Sequence, residues 1–158
     1  MVRYADPLQV LIDTREQLPY LFLAAGAGVE VRHGKLDQGD YSVDGLGDRC
    51  AVERKTLPDF VACCGRERGR FKAELGRLAD LDCAAVVIES SYDEIALGHY
   101  RSRINPESVL GSIASWSAFY RIPFFLAGNR SGGEDLTFRL LRQYRRHLAT
   151  SQGTPSLS

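Results

Sequence analysis

Asp40, Glu53 and Lys55 are the residues of this chain whose types and spacing suit phosphodiester chemistry. Asp40 opens one apolar-alternating run, with Tyr41 and Val43. Glu53 and Lys55 close a second, with Cys50 and Val52. Between the runs, Asp44-Gly45-Leu46-Gly47-Asp48 is rich in turn formers, so the two are expected to pair as a hairpin. Residues two apart on a strand share a face, which points Glu53 and Lys55 one way and Arg54 the other. Paired in this way, Asp40 reaches the same spot as Glu53. Two crowded carboxylates repel unless a cation sits between them. Hard divalent cations take one or two carboxylates plus waters and substrate phosphates. A neighbouring ammonium can then hold or polarise an attacking water.

The flanking elements follow from pattern. Leu8 to Asp13 reads as a buried strand ending in Asp13, followed by Thr14-Arg15-Glu16. Asp13 and Glu16 admit two readings: carboxylates at the C-terminal end of a buried strand, where α/β folds place chemistry, or the cap and first turn of a helix. Leu18 to Ala27 reads as a short apolar helix ending near Gly26 or Gly28. Val29, Val31 and His33 alternate as a strand, with His33 a surface turn residue. Thr56-Leu57-Pro58-Asp59 starts a helix with Pro and an acid in its first turn; Asp59 is either a helix-start charge or the edge of the site.

Gly65 to Lys72 carries Arg66, Arg68, Arg70 and Lys72. It reads as a mobile loop leading into a helix to about Leu81, with Phe71, Leu75, Leu78 and Leu81 as its core stripe. These cations are either DNA-backbone contacts or a solvated surface. Ala84 to Glu89 is a continuous apolar run, the pattern of a central strand covered on both faces; Glu89 either approaches the site or serves structure. Ser91 to Gly98 is a short helix or turn, and Tyr100 to Arg103 is a second basic segment. Asn105-Pro106-Glu107 starts a helix to about Tyr120 that is apolar on more than one face. Ile122 to Leu126 reads as an edge strand because of Pro123. Asn129 to Gly133 reads as a flexible turn and Glu134 to Leu148 as an amphipathic helix. Its arginines 139, 142, 145 and 146 lie where the helix dipole favours cations.

Composition sets the class. The chain has 158 residues, 44% hydrophobic and 25% charged, which suits one domain with its own core. There is no apolar run of membrane-spanning length and no signal-peptide pattern, so a cytoplasmic location is expected. Cys50, Cys63, Cys64 and Cys83 lack metal-site spacing, and no zinc site is expected. Net charge is zero and the pI is about 6.8, which is not the global signature of a nucleic-acid binder; a local positive surface has to serve. The excess of Arg over Lys suits bidentate phosphate contacts, and equally a GC-rich genome.

Ile12-Asp13-Thr14-Arg15-Glu16, Gly39-Asp40-Tyr41, Val52-Glu53-Arg54-Lys55 with Asp59, and Gly69-Arg70-Phe71 occur in that order. Together they resemble the XPF-type nuclease domain of the PD-(D/E)xK restriction-endonuclease-like superfamily. The order of elements and the resemblance agree on an α/β fold, a restriction-endonuclease-like mixed central sheet flanked by helices. One domain is expected over residues 1–149, with a disordered tail over 150–158. The resemblance implies a Mg²⁺- or Mn²⁺-dependent DNA endonuclease acting on branched, flap or forked DNA in repair or recombination. It implies Asp40 and Glu53 as metal ligands with Asp13 beside them, Glu16 acting through water, and Lys55 orienting the attacking water. Arg15 and Arg70 become phosphate partners, Arg54 a positioning or paired residue near the DNA path, and Asp59 part of the site edge. It also implies a homodimer or heterodimer through the C-terminal half, at Trp116, Phe119, Tyr120 and Phe124; the other reading is a core helix in a monomer. The family usually carries a tandem helix-hairpin-helix module after this domain. Only one helix and a short tail follow here, so the grip on DNA is expected from a partner, a second copy or the domain itself. The rival reading is a non-catalytic DNA-binding or scaffolding subunit with a nuclease fold.

Overall fold

The buried run Leu8–Asp13 forms the first strand, β1, of a six-stranded mixed sheet. The structure, a computed structural model, describes residues 6–152. The other strands are β2 (Val29–Gly34), β3 (Tyr41–Val43), β4 (Cys50–Lys55), β5 (Cys83–Ile88) and β6 (Phe124–Leu126). Their order across the sheet is β2-β1-β3-β4-β5-β6. β3 runs antiparallel to both β1 and β4, whereas the β1–β2, β4–β5 and β5–β6 pairs are parallel. The expected hairpin therefore sits at the middle of the sheet. The apolar run of β5 is flanked on both sides, and β6, just after Pro123, closes one edge.

Helices cover both faces. On one lie α1 (Leu57–Cys64), α2 (Arg68–Leu78), α3 (Tyr92–Ala96) and α4 (Pro106–Tyr120), packed on Ala51, Val86 and Ile88. On the other lies α5 (Arg130–Gln152), whose Leu141 and Tyr144 pack on Val10, Tyr41, Val52 and Val87. The result is a three-layer α/β/α domain, the fold class expected. Thr56, Ser91 and Asn105 cap α1, α3 and α4, their side chains accepting the N–H groups of Asp59, Glu94 and Glu107. Each such cap is worth about 1 kcal/mol.

Four expectations need correction. Leu18 to Ala27 is not one helix: a 3-10 turn covers only Leu23–Gly28 and is interrupted at Gly26. Tertiary packing overrides local pattern there, since Tyr20 and Phe22 turn inward onto Tyr41 while Leu18, Leu21 and Leu23 stay exposed. The basic Gly65–Lys72 segment is mostly helix, because α2 begins at Arg68. Asn129 to Gly133 is no flexible turn but the start of α5: the Asn129 side chain accepts the Gly132 N–H at 2.8 Å. Gly133 lets this first turn press on the Tyr20 hydroxyl, where a Cβ would collide. Finally, α5 continues to Gln152, so residues 150–152 of the expected tail are helical, and 153–158 lie outside the described residues.

The dimer residues separate into two groups. Trp116 is 2% exposed and packs edge-on against Phe60 and Phe71. Phe124 lies tilted beside it and meets Phe60 edge-on. Both pack into the core under α4, Trp116 from the helix itself and the half-buried Phe124 from β6. Phe119 is 77% exposed and meets the half-buried Tyr120 edge-on. Among the described residues no helix is long and apolar enough to cross a membrane.

Candidate active site

The hairpin brings Asp40 and Glu53 together. Tyr41 pairs with Val52, the Asp40 N–H donates to the Val52 carbonyl at 2.9 Å, and the Arg54 N–H donates to Asp40 Oδ2 at 2.7 Å. The carboxylate is thus tied to the backbone of the neighbouring strand. Gly39 makes the approach possible. Its φ is +75°, and a Cβ there would stand 2.8 Å from the Ala51 Cβ. On β4, Glu53 and Lys55 share a face, with Lys55 Nζ 3.3 Å from Glu53 Oε1. Lys55 also lies 5.2 Å over the Phe71 ring of α2. All three side chains line a cavity of about 450 Å³ between the strand ends and helices α1 and α2.

Electrostatics in this cavity favour an added cation. Burial pushes Asp40 up to about 6; the Arg54 N–H pulls it down, and the charges of Glu16 and Glu74 push it up again. Glu53, only 5% exposed, is held well above the ordinary carboxylate range by burial and then by the charges of Asp40 and Glu74. Burial works against the Lys55 ammonium, but Glu53 and its other anionic neighbours outweigh it and raise the Lys55 pKa. Ionising both groups together is therefore costly, and a divalent cation between them would offset that cost. Among the described residues no three acidic, imidazole or thiol groups converge into a closed cage. Two carboxylates facing open space suit a hard ion that keeps several waters, and do not suit zinc.

The opposite face of β4 serves structure. Arg54 forks onto Glu16 at 2.7 and 3.0 Å and reaches Glu89 at 3.1 Å. Tyr20 donates its hydroxyl to Glu89 at 2.6 Å. The Arg54, Glu16 and Glu89 side chains are 10%, 7% and 7% exposed, so this is a buried, fully paired network. Two assignments change. Arg54 is not a DNA contact, because its guanidinium is spent on two carboxylates. Glu16 lies outside the cavity, held by Arg54, and reaches the site only through its charge on Asp40. Glu89 takes the structural alternative.

Asp13 lines the cavity wall, yet both its oxygens are engaged. The Leu36 N–H donates to Oδ1 at 3.0 Å, and Arg15 Nε donates to Oδ2 at 2.7 Å. These contacts, after burial as the largest opposing cause, hold Asp13 below the usual carboxylate range. Asp13 is thereby the anchor of Arg15 and of the Leu36 loop more than an open ligand, and no helix follows it to be capped. Arg15 also donates to the Leu36 carbonyl at 2.8 Å, which aims a mostly exposed guanidinium along the cavity rim.

The other basic positions divide by helix face. Arg70 lines the cavity; Arg66 and Lys72 are exposed outside it. Arg68 stays exposed outside the cavity, donates to Ser112 Oγ at 2.8 Å and lies 4.8 Å over Trp116, fastening α2 to α4. Asp59 stands at the cavity edge on the first turn of α1. Sequence reasoning missed Glu74 and Arg77, which line the cavity with Arg70. Their signal was present: positions 70, 74 and 77 fall on one helix face, beside the apolar stripe of 71, 75 and 78.

Comparison with known proteins agrees with this fold. XPF from Aeropyrum pernix is 25% identical with a TM-score of 0.69, over 91% of this chain and 68% of that one. XPF from Aeropyrum pernix in complex with DNA is 24% identical, also with a TM-score of 0.69, over 96% of this chain and 76% of that one. A Methanocaldococcus jannaschii protein named as an ATP-dependent RNA helicase, MJ1505, is 28% identical over 134 residues, 85% of this chain. The chain spans only 15% of that relative's length. The sequence model of the ERCC4 domain matches residues 12–140, a stretch that runs from β1 into α5 and contains every cavity residue discussed above. The chain belongs to the ERCC4 domain family and has the fold of the XPF nuclease domain.

Proposed function

We propose that this chain is a Mg²⁺- or Mn²⁺-dependent endodeoxyribonuclease that hydrolyses phosphodiester bonds at branched, flap or forked DNA during repair or recombination. The observation that carries this reading is the convergence of Asp40, Glu53 and Lys55 in one polar cavity whose rim bears Arg15, Arg70 and Arg77. Asp40 and Glu53 would hold the ion. A bound divalent cation makes water a better nucleophile and offsets charge developing on the phosphate. Lys55, 3.3 Å from Glu53, holds the attacking water and its orientation. Arg15, anchored by Asp13 and Leu36, and Arg70 grip the phosphates on either side of the scissile bond. Asp59 shapes the edge of the entry. The related Aeropyrum pernix XPF has been solved with DNA, which supports DNA as the partner here.

Self-association or pairing with a related subunit completes the grip, through the exposed Phe119 and the half-buried Tyr120 on α4. Such a protein works in the cytoplasm, on the nucleoid in a bacterium.

The test is cleavage of labelled duplex, single-stranded, flap and forked DNA in Mg²⁺, Mn²⁺ or EDTA, with Glu53→Ala in parallel. Cutting that needs the metal and disappears in the variant is expected, with forked and flap substrates preferred. Binding without cutting on every substrate, in every metal, would replace this reading with that of a non-catalytic subunit.

A further inference from the structure

The wall of the cavity contributed by α2 is not uniformly basic. Arg70 and Arg77, the latter donating to Gln38 Oε1 at 3.3 Å, present guanidinium groups, but Glu74 stands between them on the same face. One turn separates each from the next, so a DNA strand reaching both arginines must pass over the Glu74 carboxylate. Glu74 is only half-buried and, among the described residues, forms no ion pair within 4 Å. Its side chain meets Glu53, and its charge acts on Asp40, Glu53 and Lys55. Glu67, Asp37 and Asp59 add further acids around the opening. Carboxylates thus outnumber cations in a cavity that is to receive a polyanion.

We propose that Glu74 makes DNA engagement conditional on a bound divalent cation. Resting on the nuclease reading of this cavity, the inference assigns to Glu74 a gate on substrate binding, distinct from the chemistry of Asp40, Glu53 and Lys55. Without a cation, the Glu74 carboxylate, set against Glu53, faces the phosphate backbone and repels it. With a cation at Asp40 and Glu53, the negative charge opposing the phosphate falls, and the Arg70 and Arg77 contacts close. Glu74 acts through the field in the cavity and is a positioning residue; no bond to it is made or broken.

Fluorescence anisotropy of a fluorescein-labelled forked duplex, in EDTA and in calcium chloride at matched ionic strength, reads this directly. Wild type is expected to bind roughly fivefold or more tightly in calcium, the scale of one unscreened like-charge contact near a protein surface. Glu74→Gln is expected to bind in EDTA about as tightly as wild type does in calcium, and to lose that cation dependence. Glu30→Gln, on the exposed edge strand β2, removes one negative charge elsewhere and keeps the wild-type dependence. Equal wild-type affinity in the two solutions, or a full calcium effect in Glu74→Gln, overturns the inference. Circular dichroism of the Gln variant confirms the fold, and a metal-free gain in affinity cannot arise from unfolding. Mg²⁺-dependent cleavage by wild type, measured on the same preparation, separates the two readings: cutting with cation-independent affinity removes the gate alone. Gated binding without cutting removes the nuclease alone.

Discussion

Replacing Asp40 with Asn is expected to abolish cleavage while making the metal-free protein more stable. The Asp40 carboxyl has an ordinary pKa of 3.8 and is raised to about 6 in the fold, first by burial. An acid with a raised folded pKa destabilises the native state whenever it is ionised. Below 3.8 both folded and unfolded chains are protonated there and the cost is absent. Between 3.8 and about 6 the unfolded chain loses its proton first, so stability falls as pH rises. Above about 6 the cost is complete, at most about 3 kcal/mol at 1.36 kcal/mol per pH unit. The Asn amide carries no charge, and its oxygen can still accept the Arg54 N–H, so the backbone tie survives. With relaxation of neighbouring Glu53, a gain of about 1–3 kcal/mol at neutral pH is expected. For a domain of this size that is a rise in Tm of about 2–12 °C. Calorimetry in EDTA across the pH range measures it. The gain should vanish below pH 3.8, and added Mg²⁺ should raise wild type more than the variant. A variant no more stable than wild type at neutral pH, or a gain that persists at acid pH, would refute the argument that Asp40 is held ionised at a cost.

Three other outcomes test the remaining assignments. Arg54→Met leaves Glu16 and Glu89 buried without their cation and is expected to cost about 3–5 kcal/mol in urea unfolding, although Arg54 does not line the cavity. Arg70→Gln should lower the slope of log affinity against log salt by about 0.7–0.9, one phosphate contact, whereas Arg68→Gln should leave the slope alone and weaken the fold through its lost tie to Ser112. In sedimentation at micromolar concentration, Phe119→Asp should shift a dimer to monomer without loss of fold. Trp116→Ala should instead destabilise by about 3–5 kcal/mol, as an aromatic core deletion does.

Local pattern was sufficient where one physical rule dominated. The strand at Leu8–Asp13, the Asp40–Glu53 hairpin and the helix start at Asn105 needed only alternation, turn residues and capping, and each appears as read. The opposite directions of Glu53 and Arg54 came from the period of a strand, and the network around Arg54 confirms them. The Leu18–Ala27 reading failed because the choice between helix and irregular chain is made by Tyr41, at a distance in sequence that periodicity does not see. Asn129–Gly133 failed for a related reason. Two glycines suggest a turn, but here they permit close contact of a helix start with Ala127 and Tyr20.

The site itself was legible from its strands and opaque from its helices. Asp40, Glu53 and Lys55 lie on adjacent strands whose pairing brings them together, so their proximity could be argued residue by residue. Glu74 and Arg77 enter the same cavity from α2, and nothing in the α2 sequence says which strand end that helix face covers. The packing of Phe71 against Phe60 and Trp116 decides it, by rotating the charged face of α2 toward β4. The same rotation sends Arg68 to Ser112 and away from the cavity. The basic run is thereby split: Arg66 lies in the turn before α2, and Arg68, Arg70 and Lys72 fall on different faces of the helix. Its members point in different directions, and among them Arg70, on the face it shares with Glu74 and Arg77, lines the cavity beside Asp40 and Glu53.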